Sequence, residues 1–267
     1  MKPLKPISVS DPSAANHGRR NFVFRFLAGA SALVFAGCDA VSNSRWGSLV
    51  LYGGEAASRG AQRALTSKTA LAQEFAESDL SPDFRSNGTA NPQDEDYQRL
   101  AANAFQDWKL RIDGLVQVPT DLSLAQLRAM KSRTQITRHD CVEGWSAIGK
   151  WTGVPLSSVL ALAQPAPRAR YVVFYCADAM DYGGTRYYES IDLEDAYHPQ
   201  TILAYELNGT TLPIANGAPI RVRIERQLGY KMAKYIMRIE LVADLKAIGG
   251  GKGGYWEDQG YEWYAGI

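Results

Sequence analysis

Four strand-patterned segments, joined by helix candidates too short and irregular for a repeating crossover, set the strongest limit on how this chain can fold. WKLRIDGLV (108–116) sets Trp108, Leu110 and Ile112 against Lys109, Arg111 and Asp113, the two-residue period of a strand with one buried face. YVVFYC (171–176), PIRVRIE (219–225) and YIMRIELVADL (235–245) are rich in β-branched and aromatic residues. LSLAQLRAM and VPLSSVLALA read as short helices between them. There is no internal repeat and no regular βαβ alternation. The pattern therefore predicts a mixed α+β architecture in place of a doubly wound sheet, with the strand pattern opening near Phe105.

A length of 267 residues, 46% of them hydrophobic, suffices for one large domain or two small ones. The formal net charge of +1 excludes a general electrostatic grip on nucleic acid or acidic membranes. His17, His139 and His198 are too few and too scattered for a zinc or haem site. GGTRYY and GGGKGGYW read as loops. Neither follows a strand and opens a helix, as a phosphate-binding loop or dinucleotide fingerprint requires.

The N-terminus carries a processing signal. Arg19 and Arg20 precede an apolar run from Phe22 to Phe35, broken by Arg25 and too short to span a bilayer. Residues 1–38 thus resemble a twin-arginine export signal, read by proteins that cross the inner membrane folded, and imply a periplasmic location. An ordinary secretory peptide with incidental arginines is the alternative. Ala36-Gly37-Cys38 also resembles a lipoprotein processing site, with Phe35 where leucine is usual, so membrane anchoring through Cys38 stays open. Residues 39–78 read as a spacer and then a surface helix, with Ala57, Ala61, Leu65, Leu71, Ala72 and Phe75 at helical spacing. From 80 to 96, Pro82, Asn87-Gly88 and Asn91-Pro92 mark loop.

Beyond Cys38 the thiols are Cys141 and Cys176. In an oxidising compartment they are candidates for a disulfide, and buried inert thiols are equally ordinary. The setting of Cys141 in TRHDCVEGW suggests a third reading, since a supported thiolate is a nucleophile or a ligand for soft metal centres. Arg138 and His139 are placed to favour that charge. Glu143, two positions on, is placed to hold or pass a proton, or to brace the loop by hydrogen bonds. Farther along, NGAPIRVRIERQLGYKMAK (216–234) puts Arg221, Arg223 and Glu225 on one strand face, with Lys231 and Lys234 after the turn at Gly229. Arginine forks and lysine point charges suit an anionic or planar ligand. The plainer reading is a solvated strand face with a basic rim.

DCVEGWSAIGKWTGVPLSSVL, ILAYELNGTTLPIANGAPIRV, LGYKMAKYIMRIELV and GGYWEDQGYEW together resemble the sulfite oxidase family of molybdopterin enzymes. Within it they are most similar to the bacterial exported branch that includes the catalytic subunit of the methionine sulfoxide reductase system. The resemblance runs from about Asp79 to the C-terminus, and it implies the family's mixed α/β molybdopterin-binding domain over 79–267. It implies a molybdenum–molybdopterin cofactor, with Cys141 as metal ligand and Glu143 as a proton-handling or water-positioning group beside it. Asn216 and Arg221 would hold the pterin and its phosphate, with Met232, Ala233 and Lys234 at the phosphate end. Asn87 in FRSNGT would add a pterin contact. Cys176 falls at a pocket position where the family commonly has a hydroxyl residue, which is a departure.

The implied activity is two-electron oxo-transfer redox chemistry on a small substrate. DYGGTRYYESIDLEDAYHPQTILAY departs from the family's methionine sulfoxide reductases, so the substrate does not carry over from the resemblance. A C-terminal dimerisation domain of the animal type is not expected within 267 residues, and no C-x-x-C-H haem motif is present. Electrons are accordingly expected to pass to or from a separate partner, for this branch a membrane cytochrome b. The alternatives are a cofactor-free binding protein on the same fold and a disulfide-stapled exported module.

Overall fold

The computed structural model describes residue 54 and residues 57–65, 67–181 and 183–267. The export signal, Cys38 and most of the spacer lie outside the described residues. The chain divides into Met1–Ser58 and Arg59–Ile267, and every strand and numbered helix below belongs to the second unit. No helix among the described residues is long and apolar enough to cross a membrane.

In chain order the elements are α1 (Glu95–Ala102), β1 (Lys109–Gly114), β2 (Thr120–Ser123), α2 (Leu124–Ala129), β3 (Arg133–Cys141), β4 (Trp145–Pro155) and α3 (Leu156–Ala163). Then follow β5 (Tyr171–Ala179), β6 (Arg186–Asp192), α4 (Leu193–Ala196), β7 (Ile202–Leu207), β8 (Thr210–Thr211), β9 (Arg221–Arg223), β10 (Ile236–Val242) and α5 (Tyr255–Asp258). One sheet has the order β2-β1-β10-β5-β6; the other runs β3-β4-β7-β8, with β9 also paired to β7. The pairing of β1 with β10 is parallel, while the other strand pairs are antiparallel. Helices and sheets are interspersed without βαβ regularity, as the strand-rich pattern predicts.

The alternation in WKLRIDGLV is realised: Leu110 and Ile112 are buried while Lys109 and Arg111 are exposed. They join Val172, Phe174, Ile239 and Leu241 in a core that α3 closes with Leu156, Val159 and Leu160. Short helices persist because their ends are satisfied. Asp94 accepts from the Tyr97 amide at the start of α1, and Ser123 and Gln126 form a reciprocal capping box on α2. Such caps contribute about 1 kcal/mol each.

Two expectations need correction, and one pair of strands went unread. Residues 133–155 form the β3–β4 hairpin, with Cys141 paired to Trp145 at its tip. Its inward positions on β3 are Gln135, Thr137 and His139, so the buried face is polar and leaves no hydrophobic period to read. β4 passes close to β7 through Gly153, where a Cβ would clash with the Leu203 carbonyl oxygen. The surface helix also stops short of its predicted extent. Residues 57–65 are helical, but the chain is extended by Phe75. There the Phe75 amide donates to Ile136 O at 2.9 Å, and the Gln200 side chain bonds both backbone groups of Ala72. These partners outweigh a weak helical period. Finally, the end of GGTRYY is strand, since β6 begins at Arg186.

Candidate functional site

A three-residue turn carries Cys141. Val142, Glu143 and Gly144 join β3 to β4, Gly144 takes φ +85°, and its amide donates to Cys141 O at 3.0 Å. A left-handed residue closing a three-residue hairpin is a recurrent solution, and glycine adopts it without Cβ strain. The turn leaves Cys141 half-buried at a cleft of about 200 Å³. Asn87 and Thr89, from the loop before α1, form part of its wall; Asp178 of β5 and the stretch Met232–Lys234 complete it beside Glu143.

Six of the expected site residues therefore meet in one cavity: Asn87, Cys141, Glu143, Met232, Ala233 and Lys234. The others stand behind its wall. Cys176 is buried in the core, and Asn216 and Arg221 are buried beside the Met232 segment. Arg221 joins the two loops, donating through its NH groups to Asn216 O and Met232 O, each at 3.2 Å. Lys234 Nζ donates to Asn87 O at 2.6 Å, Thr89 O at 2.5 Å and Ala215 O at 3.1 Å. Glu143 is braced at both oxygens, one accepting from Trp145 Nε1 at 2.9 Å and the other from the Gly88 amide at 3.4 Å.

The solvated-face reading of the basic strand does not hold. Arg221 and Arg223 have no exposed surface. Arg223 forks onto Glu225 and lies over the Trp151 ring. Arg221 has only carbonyl acceptors, with its Nε buried and unpartnered. Nor do Arg138 and His139 support a Cys141 thiolate. Arg138 pairs with Asp140, and buried His139 bonds Arg223 through Nδ1 at 2.9 Å. Burial, then the neighbouring arginines, hold His139 well below its ordinary range and hence neutral. Burial also pushes the Cys141 thiol up, with the charges of Arg221 and Arg85 only partly opposing it. A thiol so placed is a poor free nucleophile. Cys141 and Cys176 are both free, which removes the disulfide-stapled alternative.

The electrostatics of the cleft call for an anion. Burial, then Arg221, pushes the Lys234 ammonium down to about 7. Burial likewise pushes Arg221 down, followed by Arg223, although a guanidinium keeps its proton at neutral pH. Two neighbouring buried cations without a carboxylate fork are costly, and an anionic ligand would offset that cost. Asp178 supplies partial compensation, its carboxyl pushed up to about 6 chiefly by burial. Asn87 Oδ1 and Asp178 Oδ1 are buried without hydrogen-bond partners, so two acceptors at the cleft wall await N–H donors. The donor set fits molybdopterin: cations for its phosphate, acceptors for its pterin N–H groups, and a sulfur for its metal.

Sequence reasoning missed Asp178, Thr89 and Tyr187 as cleft residues. Asp178 left a usable signal, since it lies two positions beyond Cys176 in an otherwise apolar strand and so shares its face. Thr89 and Tyr187 left none, because a polar loop and a tyrosine-rich strand are locally ordinary.

The profile of the oxidoreductase molybdopterin binding domain family matches residues 98–247. A candidate protein-methionine-sulfoxide reductase subunit of Azospira oryzae, YedZ1, is 42% identical over 173 residues, which is 65% of this chain and 60% of that protein. The protein-methionine-sulfoxide reductase catalytic subunit MsrP of Xanthomonas campestris pv. campestris is 39% identical over 144 residues, 51% of this chain and 45% of that protein. The matched region thus spans between about half and three-fifths of the length of these relatives. Among solved structures, the sulfane dehydrogenase SoxCD from Paracoccus pantotrophus aligns with a TM-score of 0.46 and 22% identity, covering 52% of this chain and 39% of that one. With more than half of its residues inside the family profile, the chain belongs to the molybdopterin-binding oxidoreductases of the sulfite oxidase family.

Proposed function

We propose that the protein is an exported molybdenum-cofactor oxidoreductase that reduces S-oxides, methionine sulfoxide foremost, with electrons delivered by a separate partner. The observation carrying this reading is the convergence of Cys141, two unpartnered buried oxygens and Lys234 at one cleft, with the Arg221 guanidinium buried behind its wall. The names of the relatives favour methionine sulfoxide over other S-oxides. When bound, the cofactor supplies the two-electron exchange and the acceptor for the oxygen atom.

This chain's residues bind, orient and manage protons. Cys141 is the proposed metal ligand, projected by the Gly144 turn. Lys234 and Arg221 hold the phosphate, and Met232 and Ala233 shape that end of the cleft. Asn87 accepts from the pterin through Oδ1. Asn216 acts through its carbonyl, which fixes Arg221. Cys176 forms the wall behind Asp178. Glu143 holds the Cys141 turn against the Gly88 loop and is the carboxylate on that turn for moving a proton beside the metal.

The functional domain is taken as 79–267, preceded by an export signal over 1–38 and a spacer over 39–78. The Arg19-Arg20 signal supports periplasmic delivery of protein already loaded with cofactor. A membrane cytochrome b is the proposed electron partner, and Cys38 the proposed anchor if it is lipidated. The test is to express the full chain with its own export signal, measure molybdenum per chain, and assay methionine sulfoxide reduction with an artificial electron donor. Stoichiometric metal with turnover is expected. Protein that folds, is exported and holds no molybdenum would reject the reading.

A further inference from the structure

Beside the cleft, and outside the proposed cofactor contacts, lies a buried group of charges. Lys231 Nζ contacts Glu189 Oε1 and Glu257 Oε1, each at 2.5 Å, and all three side chains are buried. Glu189 Oε1 also accepts from the Ser190 amide at 2.7 Å. The carboxyls of Glu189 and Glu257 thus converge on one buried ammonium, and Glu257 Oε2 is buried without a hydrogen-bond partner. Two ionised carboxylates against a single ammonium leave one negative charge uncompensated in a dry site. A proton on Glu189 Oε2, the oxygen that faces the Tyr187 hydroxyl, removes that charge.

Tyr187 links this group to the cleft, which it lines. Its hydroxyl lies 3.3 Å from Glu189 Oε2 and also donates to Tyr230 O. One hydroxyl proton cannot serve both acceptors fully, which again favours a proton on the Glu189 side. The groups facing Glu189 are Tyr187 on its own strand, Cys176 on β5, Lys231 on the turn after Gly229, and Glu257 on α5, with Asp178 of β5 next to Cys176 and Tyr187. The Trp263 ring covers Lys231 at 5.2 Å. Burial is the first cause pushing the Glu189 carboxyl well above its usual range, and Lys231 only partly opposes it. Burial keeps the Tyr187 phenol protonated.

We propose that Glu189 and Glu257 share one exchangeable proton, clamped by Lys231, and that Tyr187 passes it into the cleft to the oxygen leaving the S-oxide. This rests on the reading of the cleft as a site of S-oxide reduction. Reduction of a sulfoxide to its thioether breaks the sulfur–oxygen bond, takes up two electrons and two protons, and releases water. The electrons would be supplied by an electron-carrier protein, and the cofactor, when bound, would supply the two-electron exchange. One proton comes from this store: the Tyr187 hydroxyl turns from Tyr230 O, gives its proton to the departing oxygen and takes one from Glu189 Oε2. The second proton comes from solvent. The cluster is neutral before transfer and carries one negative charge after it, which draws in the replacement proton before the next turnover.

The experiment uses cofactor-loaded full chain with methionine sulfoxide and an artificial one-electron donor, on wild type, Glu189→Gln and Tyr187→Phe. Infrared spectra at neutral pH, taken without substrate, should show the carbonyl band of a neutral carboxylic acid in wild type and its loss in Glu189→Gln. Both variants should keep their molybdenum and KM while kcat falls about 10²-fold and loses its pH dependence. No such band in wild type, or an unchanged kcat in Tyr187→Phe, overturns the proposal. Should Glu189→Gln fail to fold, the wild-type band and Tyr187→Phe still decide it. Loaded wild type that reduces no S-oxide would reject the assigned function, and the substrate-free band would still decide whether the proton store exists.

Discussion

Lys234 Nζ lies 2.6 Å from the carbonyl oxygen of Asn87, so one buried ammonium fixes the loop whose side-chain oxygen stands unpartnered at the cleft. The same nitrogen reaches Ala215 O, and Arg221 grips Asn216 O one residue on. Loops far apart in the chain are thus tied together by cations that form no salt bridge among the described residues and have Asp178 as partial compensation. This arrangement is pre-organised for a phosphate-bearing ligand.

Cys141→Ser should retain the fold, because the side chain is half-buried on a turn and lies outside the core. It should lose the sulfur-to-metal charge-transfer absorption and most activity. A metal spectrum identical to wild type would show that Cys141 is not a ligand.

Arg221→Ala should purify with little molybdopterin. It also strips Asn216 O and Met232 O of a buried donor, at a cost of about 1–3 kcal/mol for each unsatisfied group. Thermal unfolding and cofactor content, measured on the same sample, check both effects. Full cofactor occupancy would confine Arg221 to a structural role.

The Lys234 ammonium, at about 7 in the fold against an ordinary 10.5, binds fewer protons folded than unfolded between those values. Stability of cofactor-free protein should therefore rise with pH from about 7 to 10.5, and Lys234→Met should flatten that slope. Bound phosphate would restore the charge, so loaded protein should show a shallower slope than empty protein in denaturant titrations. Equal slopes would count against Lys234 as the phosphate's partner.

Glu143→Gln keeps the shape but presents an amide NH2 where Glu143 accepts from Trp145 or Gly88. Molybdenum content should stay normal while the pH profile of turnover shifts, with a loss of rate up to about 10²-fold. An unaltered profile would leave Glu143 as a brace for the turn, and loss of metal would make it part of the binding site.

Strands with one apolar face were legible in the sequence: the Leu110 and Ile112 alternation reappears as the buried face of β1. The β3–β4 hairpin was not, because its inward residues on β3 are Gln135, Thr137 and His139. Their burial is made possible by partners distant in the chain, such as Gln135 with Glu225 and His139 with Arg223. The helical period through Phe75 misled for a related reason, since the competing Ile136 and Gln200 partners lie far along the chain.

By itself the sequence determined the family and the mixed architecture, and it singled out the cysteine that lines the cleft. DCVEGW and NGAPIRV are compact motifs, and strand alternation is a local property. Only the tertiary structure decided that Arg221 and Lys231 are fully buried, that Asp178 joins the cleft, and that Glu189 meets Glu257 across Lys231. Whether a charged side chain is solvated or buried depends on which distant segments close over it. Coulomb interactions between such groups become strong only once water has been excluded, and no stretch of neighbouring residues records that exclusion.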